Sequence, residues 1–111
     1  MSYVNIIKKT VEYSRANNCN IMLVAQEKNI CDLRKILILF KRPAGEEFSG
    51  RTLRLDNNSY ISLLHPDDPN SFIFNEKPFY LVLLGGSSNS LRGSENISKW
   101  IKQSEKQLEM I

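Results

Sequence analysis

The chain of 111 residues has a single histidine and two cysteines, so it is poor in the side chains from which most catalytic and metal sites are built. Cys19 and Cys31 show neither a CxxC pair nor a Cys/His spacing that would hold zinc, and His65 is the only imidazole available to activate either thiol. Free cysteines behave as small hydrophobes, so both are expected to be reduced and to lie in or against the core. The longest apolar stretches, residues 21–25, 36–40 and 79–84, have five or six residues, against the roughly 20 that a membrane-spanning helix needs. No charged leader followed by an apolar run opens the chain, because Lys8 and Lys9 fall inside a helical pattern. A cytoplasmic protein with no membrane partner is expected. The phosphate-binding patterns GxxxxGK[ST] and GxGxxG are missing, as are RNP-like, KH and helix-turn-helix patterns and any internal repeat.

What is present suits a folded globular chain, with 41% hydrophobic and 24% charged residues. The length allows one core and is too short for two, so residues 1–111 are expected to form a single domain. The net charge of +3 is concentrated: between Lys28 and Arg54 seven cations face three anions, a local excess of +4, which leaves the remainder at −1. Such an excess is compatible with a polyanionic partner without demanding one.

Val4, Ile7 and Val11 recur at helical spacing behind Ser2, a good N-cap, and Asn17-Asn18 can close the helix in the left-handed conformation. Residues 20–26 are apolar without alternation, which predicts a central strand covered on both faces. Over residues 27–35 a loop or helical turn is expected, and the Ile/Leu-rich residues 36–40 favour a strand. Pro43, Gly45 and Gly50 mark residues 41–51 as a loop. Residues 52–64 read as a hairpin turning at Asp56-Asn57-Asn58-Ser59, with Leu55 opposite Tyr60 for a two-residue turn or opposite Ile61 for a bulged one. Strands are also expected at residues 71–75 and 79–84, the latter the last. Ile97, Trp100, Ile101, Leu108 and Ile111 predict a C-terminal helix over residues 94–111, capped by Ser94. The expected fold is therefore α+β, a single mostly antiparallel sheet of about five strands bracketed by an N-terminal and a C-terminal helix.

Two helices usually cover one face of a sheet, yet three of these strands are apolar on both faces. The second face then requires a cover. Either a second copy of the chain supplies it, or residues 27–35 are helical and fill the gap.

Chemistry is sparse. Residues 85–93 (Gly-Gly-Ser-Ser-Asn-Ser-Leu-Arg-Gly) connect an apolar strand to the predicted helix. Backbone N–H groups at Gly85 and Gly86, the hydroxyls of Ser87 and Ser88, and Arg92 are what a phosphate needs, although such a stretch is more commonly a plain connection. Lys41, Arg42 and Arg51, with Arg54, add cations that a phosphate-bearing ligand would use. Interleaved with Phe40, Phe48 and Tyr60, they form a pattern that single-stranded nucleic acid also exploits, but Glu46-Glu47 interrupts it. His65, Asp67 and Asp68 are the one local His/carboxylate cluster, and Pro66 and Pro69 make it read as a turn. No catalytic set, metal site or cofactor emerges, so the sequence leans away from an enzyme. It points first to a nonenzymatic binding protein, self-associating or holding another protein through its loops and sheet surface. A small-ligand binder for a phosphate-bearing nucleotide comes second, and a single-stranded nucleic-acid binder third.

Overall fold

The computed structural model describes residues 3–65, 79–84 and 106–110. Helix α1, Tyr3–Asn17, buries Ile6, Ile7, Thr10, Val11 and Ser14 along one stripe. Val4, expected in that stripe, is 43% exposed at its outer end. Two polar members of the stripe bond to backbone carbonyls, which removes the cost of burying them: Thr10 Oγ1 donates to Ile6 O at 2.9 Å and Ser14 Oγ to Cys19 O at 2.6 Å. Asn18, at φ 52°, ends the helix in the left-handed region, as expected of an Asn at this position.

Strand β1, Asn20–Val24, is buried at all five positions and lies at the centre of the sheet, as its unbroken apolar run predicts. Residues 27–39 depart from expectation. They form one helix, α2, Glu27–Leu39, rather than a turn followed by a strand. The reason is the period of burial: Ile30, Leu33 and Leu37 face the core, whereas Ile38 is 37% and Leu39 75% exposed. A strand at 36–40 would have had to bury consecutive residues on two faces. One helical face spares the last two.

Residues 41–51 are only partly a loop. After a turn at 43–45, β2, Glu47–Ser49, pairs antiparallel with β3, Thr52–Arg54, and Ser49 lies opposite Thr52. The two-residue connection is Gly50-Arg51, with Gly50 at φ 60°, as a hairpin turn with glycine in its first central place requires. Strand β4, Tyr60–Leu64, pairs antiparallel with β3, Leu53 opposite Ile61 and Arg54 opposite Tyr60. Continuing this register puts Leu55 against Ser59, and Leu55 N–H donates to Ser59 O at 2.8 Å. Neither expected register is adopted. The loop has three residues, 56–58, and Asn58 takes the left-handed conformation at φ 64°, the arrangement of a type I turn with a bulge.

Strands β5, Phe79–Leu84, and β6, Lys106–Met110, complete a six-stranded sheet of order β2-β3-β4-β1-β5-β6. β1 is parallel to both β4 and β5, and β5 is parallel to β6, so the sheet is mixed rather than mostly antiparallel. Parallel neighbours cannot be joined by tight turns. The passage from β1 to β4 carries α2 and the β2-β3 strands. The expected helix over 94–111 is contradicted at residues 106–110, where a strand pairs with β5. Its apolar stripe was thin there: between Ile101 and Leu108 the helical positions are held by Ser104 and Glu105. The rest of that segment, like the expected strand at 71–75, lies outside the described residues.

α1 and α2 pack on the same face. Their core cluster joins Ile7, Val11, Leu33 and Leu37 to Ile21, Leu23, Leu53, Ile61, Leu63 and Val82. Burying each such side chain contributes about 2 kcal/mol. By strand alternation Met22, Val24, Leu64 and Leu81 point to the opposite face, and each is fully buried within one chain. A second copy is thus not needed to cover them, and α2, though helical, is not what does so. No helix among the described residues is long and apolar enough to cross a membrane.

Candidate functional site

The opposite face changes character from one side of the sheet to the other. The register aligns Glu47, Arg54, Tyr60, Asn20 and Phe79 in one row across β2, β3, β4, β1 and β5. The next row is Ser49, Thr52, Ser62, Met22 and Leu81. Both rows run from charged or hydroxylic side chains at the β2 edge to apolar ones at β5. The apolar half is buried, and the polar half opens into a concavity of about 430 Å³ lined by Glu47, Ser49, Gly50, Arg51, Thr52, Arg54 and Tyr60.

Several of the lining residues have an identifiable support. Thr52 and Ser62 share a hydroxyl hydrogen bond of 3.1 Å at the floor. The Tyr60 N–H donates to Asn20 Oδ1 at 2.9 Å, which fixes the strand end that carries the ring. Arg54 donates to Asn58 Oδ1 at 3.3 Å and lies 3.5 Å from Glu47 Oε1, with the Arg54 side chain 29% and that of Glu47 76% exposed. The Gly50-Arg51 turn is braced from the helical side, where Arg34 Nε donates to Gly50 O at 2.6 Å. The Arg34 guanidinium also stacks 5.2 Å from the centroid of Phe48.

A second Arg/Glu pair lies beside this groove and behaves differently. Glu46 is 3% exposed and receives Arg15 at 2.6 Å and 3.3 Å. It also accepts the backbone N–H of Arg42 at 2.9 Å and of Asp56 at 3.3 Å. Arg15 reaches Phe40 O as well, at 2.9 Å. Burial alone would raise the Glu46 pKa. The hydrogen bonds from Arg15, Arg42 and Asp56, with the charge of Arg15, outweigh it and hold the carboxyl below its ordinary value of 4.5. The hairpin tip is secured nearby: Asn57 Nδ2 donates to Ser14 O at 3.3 Å and to Arg15 O at 3.4 Å, satisfying carbonyls at the end of α1.

Of the cations expected to serve a ligand, Arg51 lines the groove and Arg54 joins it. Lys41 and Arg42 are exposed at the exit of α2, in the segment that Glu46 ties down, and they are not among the lining residues. The three rings do not share a face. Phe40 and Phe48 are half-buried against the helix-side core, whereas Tyr60 alone lines the concavity. Gly85, Gly86, Ser87, Ser88 and Arg92 lie outside the described residues. So do Asp67 and Asp68, while His65 is 7% exposed. Among the described residues no three His, Cys, Asp or Glu side chains are grouped to hold a metal. Cys19 is buried as expected; Cys31 is exposed on α2, contrary to the expectation for both thiols.

Sequence reasoning missed Glu47, Ser49 and Thr52 as lining residues and the Arg15–Glu46 pair altogether. The first three were legible. Glu47-Phe48-Ser49 and Thr52-Leu53-Arg54 alternate polar and apolar on either side of a Gly-containing two-residue turn. Arg15 and Glu46 are 31 residues apart in the chain, and nothing in the sequence links them. No known protein family, characterised protein or solved structure matches this chain, so its own residues carry the functional argument.

Proposed function

We propose that the chain is a nonenzymatic binding protein that takes a phosphate-bearing small molecule, with nucleotides as the ligand class, in the β2-β3-β4 groove. The observation that carries this reading is the assembly of Arg51, Arg54 and the Tyr60 ring, with the hydroxyls of Ser49 and Thr52, around one concavity. Its size, about 430 Å³, falls in the range of small-molecule sites. A guanidinium offers paired N–H donors to phosphate oxygens, and a tyrosine ring offers a face on which a base can stack. The lining includes neither histidine nor cysteine, which favours binding over chemistry.

The test is thermal unfolding with AMP, ADP, ATP and GTP. A nucleotide at 100 times its dissociation constant should stabilise the fold by about 2.7 kcal/mol. An Arg51→Glu/Arg54→Glu variant should lose that gain. Stabilisation by none of the four, or full stabilisation of the double variant, rules the groove out.

A second reading keeps the ligand and moves the site. β1 has parallel neighbours on both sides, β4 and β5, and in open parallel sheets ligands settle beyond the carboxyl ends of strands at such a switch point. Residues 85–93 follow β5 in the sequence, and Arg92→Glu, rather than the groove variant, would then abolish binding. Nucleic acid is the less favoured ligand, since the exposed Glu47 carboxylate stands at the groove edge. A steep loss of affinity with salt would revive it.

A further inference from the structure

We infer that Glu47 is an internal competitor for the ligand's phosphate, a built-in anion that must leave Arg54 before a nucleotide can engage it; this rests on the groove being the binding site. The cross-strand register places Glu47 directly opposite Arg54 on the open face, and Glu47 Oε1 stands 3.5 Å from the guanidinium. A carboxylate and a phosphate seek the same paired N–H donors of arginine. Glu47 is well suited to withdraw. Its side chain is 76% exposed, and Arg54 keeps Asn58 Oδ1 at 3.3 Å as a partner when the carboxylate swings into solvent. The neighbouring glutamate differs in kind: Glu46 is buried under Arg15 and two backbone N–H groups and is unavailable for exchange. The geometry therefore assigns the two adjacent acids different tasks, one holding the fold and the other screening the groove. Screening also sets specificity. A ligand must bring enough negative charge to displace Glu47, so a phosphorylated nucleotide is accepted where the uncharged nucleoside gains nothing from Arg54.

The experiment is calorimetric titration of ATP and of adenosine into the wild-type chain, Glu47→Gln and Glu12→Gln, at one fixed ionic strength. Glu12 is exposed on α1, which packs on the other face of the sheet, and it controls for the change in net charge. Glu47→Gln should bind ATP about threefold more tightly than wild type, the scale of an exposed ion pair, with adenosine unaffected and Glu12→Gln close to wild type. Equal ATP affinity in all three proteins overturns the competitor role while leaving the groove reading intact. An equal gain in both variants also overturns it, since net charge alone then explains the effect. Weaker binding by Glu47→Gln overturns it too and makes Glu47 a residue that positions Arg54. If no protein binds ATP, the groove reading fails and the competitor role fails with it.

Discussion

Glu46 and Glu47 are adjacent in the chain, each paired with an arginine, and they differ in almost every physical respect. The Arg15–Glu46 pair is 2.6 Å long, with the Glu46 side chain fully buried, whereas Arg54–Glu47 is 3.5 Å long with Glu47 76% exposed. Strand geometry separates them: Glu47, the first residue of β2, faces outward to the groove, while Glu46 just before it turns inward to Arg15 of α1. A buried pair stabilises only if its remaining hydrogen-bonding capacity is satisfied. Glu46 meets that condition through the N–H groups of Arg42 and Asp56. An exposed pair is screened by water and contributes little. The same two residue types thus make a fixed joint in one place and an exchangeable contact in the other.

The sharpest way to break this contrast is to remove the buried acid. Glu46→Ala should cost about 3 kcal/mol in urea unfolding, the low end for breaking a buried pair, because Arg15 retains some solvent exposure and its bond to Phe40 O. A loss no larger than that of Glu47→Ala would erase the distinction. The pH dependence comes next. The folded carboxyl of Glu46 has the lower pKa, so its contribution is complete above the unfolded value and disappears as pH falls through the folded one. The wild-type urea midpoint should therefore drop on acidification below about pH 5. Glu46→Gln should start lower at neutral pH and change less.

Asn57→Ala should cost about 1 kcal/mol, a typical hydrogen-bonding contribution, by freeing Ser59 N–H and the α1 carbonyls that Asn57 serves. The smallest effect belongs to Glu47→Ala, below about 1 kcal/mol. Paired unfolding curves of these two variants check the lower half of the order.

Legibility followed the range of the interactions. α1, β1, β5 and the β3-β4 hairpin rest on local periodicity and turn residues, and each stood in the sequence. α2 was misread at 36–40 because Ile36 to Phe40 is rich in β-branched and apolar residues, and only the exposure of Ile38 and Leu39 shows which face is buried. The parallel pairing of β1 with β4 and β5 joins segments far apart in the sequence. Yet β1 and β5 are continuous apolar runs, the mark of parallel strands covered on both faces. For the site, Arg51, Arg54 and Tyr60 were candidates on composition. The register that separates Tyr60 from Phe48 depends on a three-residue loop at 56–58 that two asparagines made plausible without fixing its length, whereas Glu46 and Glu47 are separated by where β2 begins.

The claim that the β2-β3-β4 groove is the ligand site is tested most directly by mapping amide chemical shifts during an ATP titration of the isotope-labelled chain. The account predicts saturable shifts concentrated at Ser49, Gly50, Arg51, Thr52, Arg54 and Tyr60, with Ile7, Val11 and Leu33 unmoved. Shifts confined to residues 85–93, or none at saturating ATP, would contradict it.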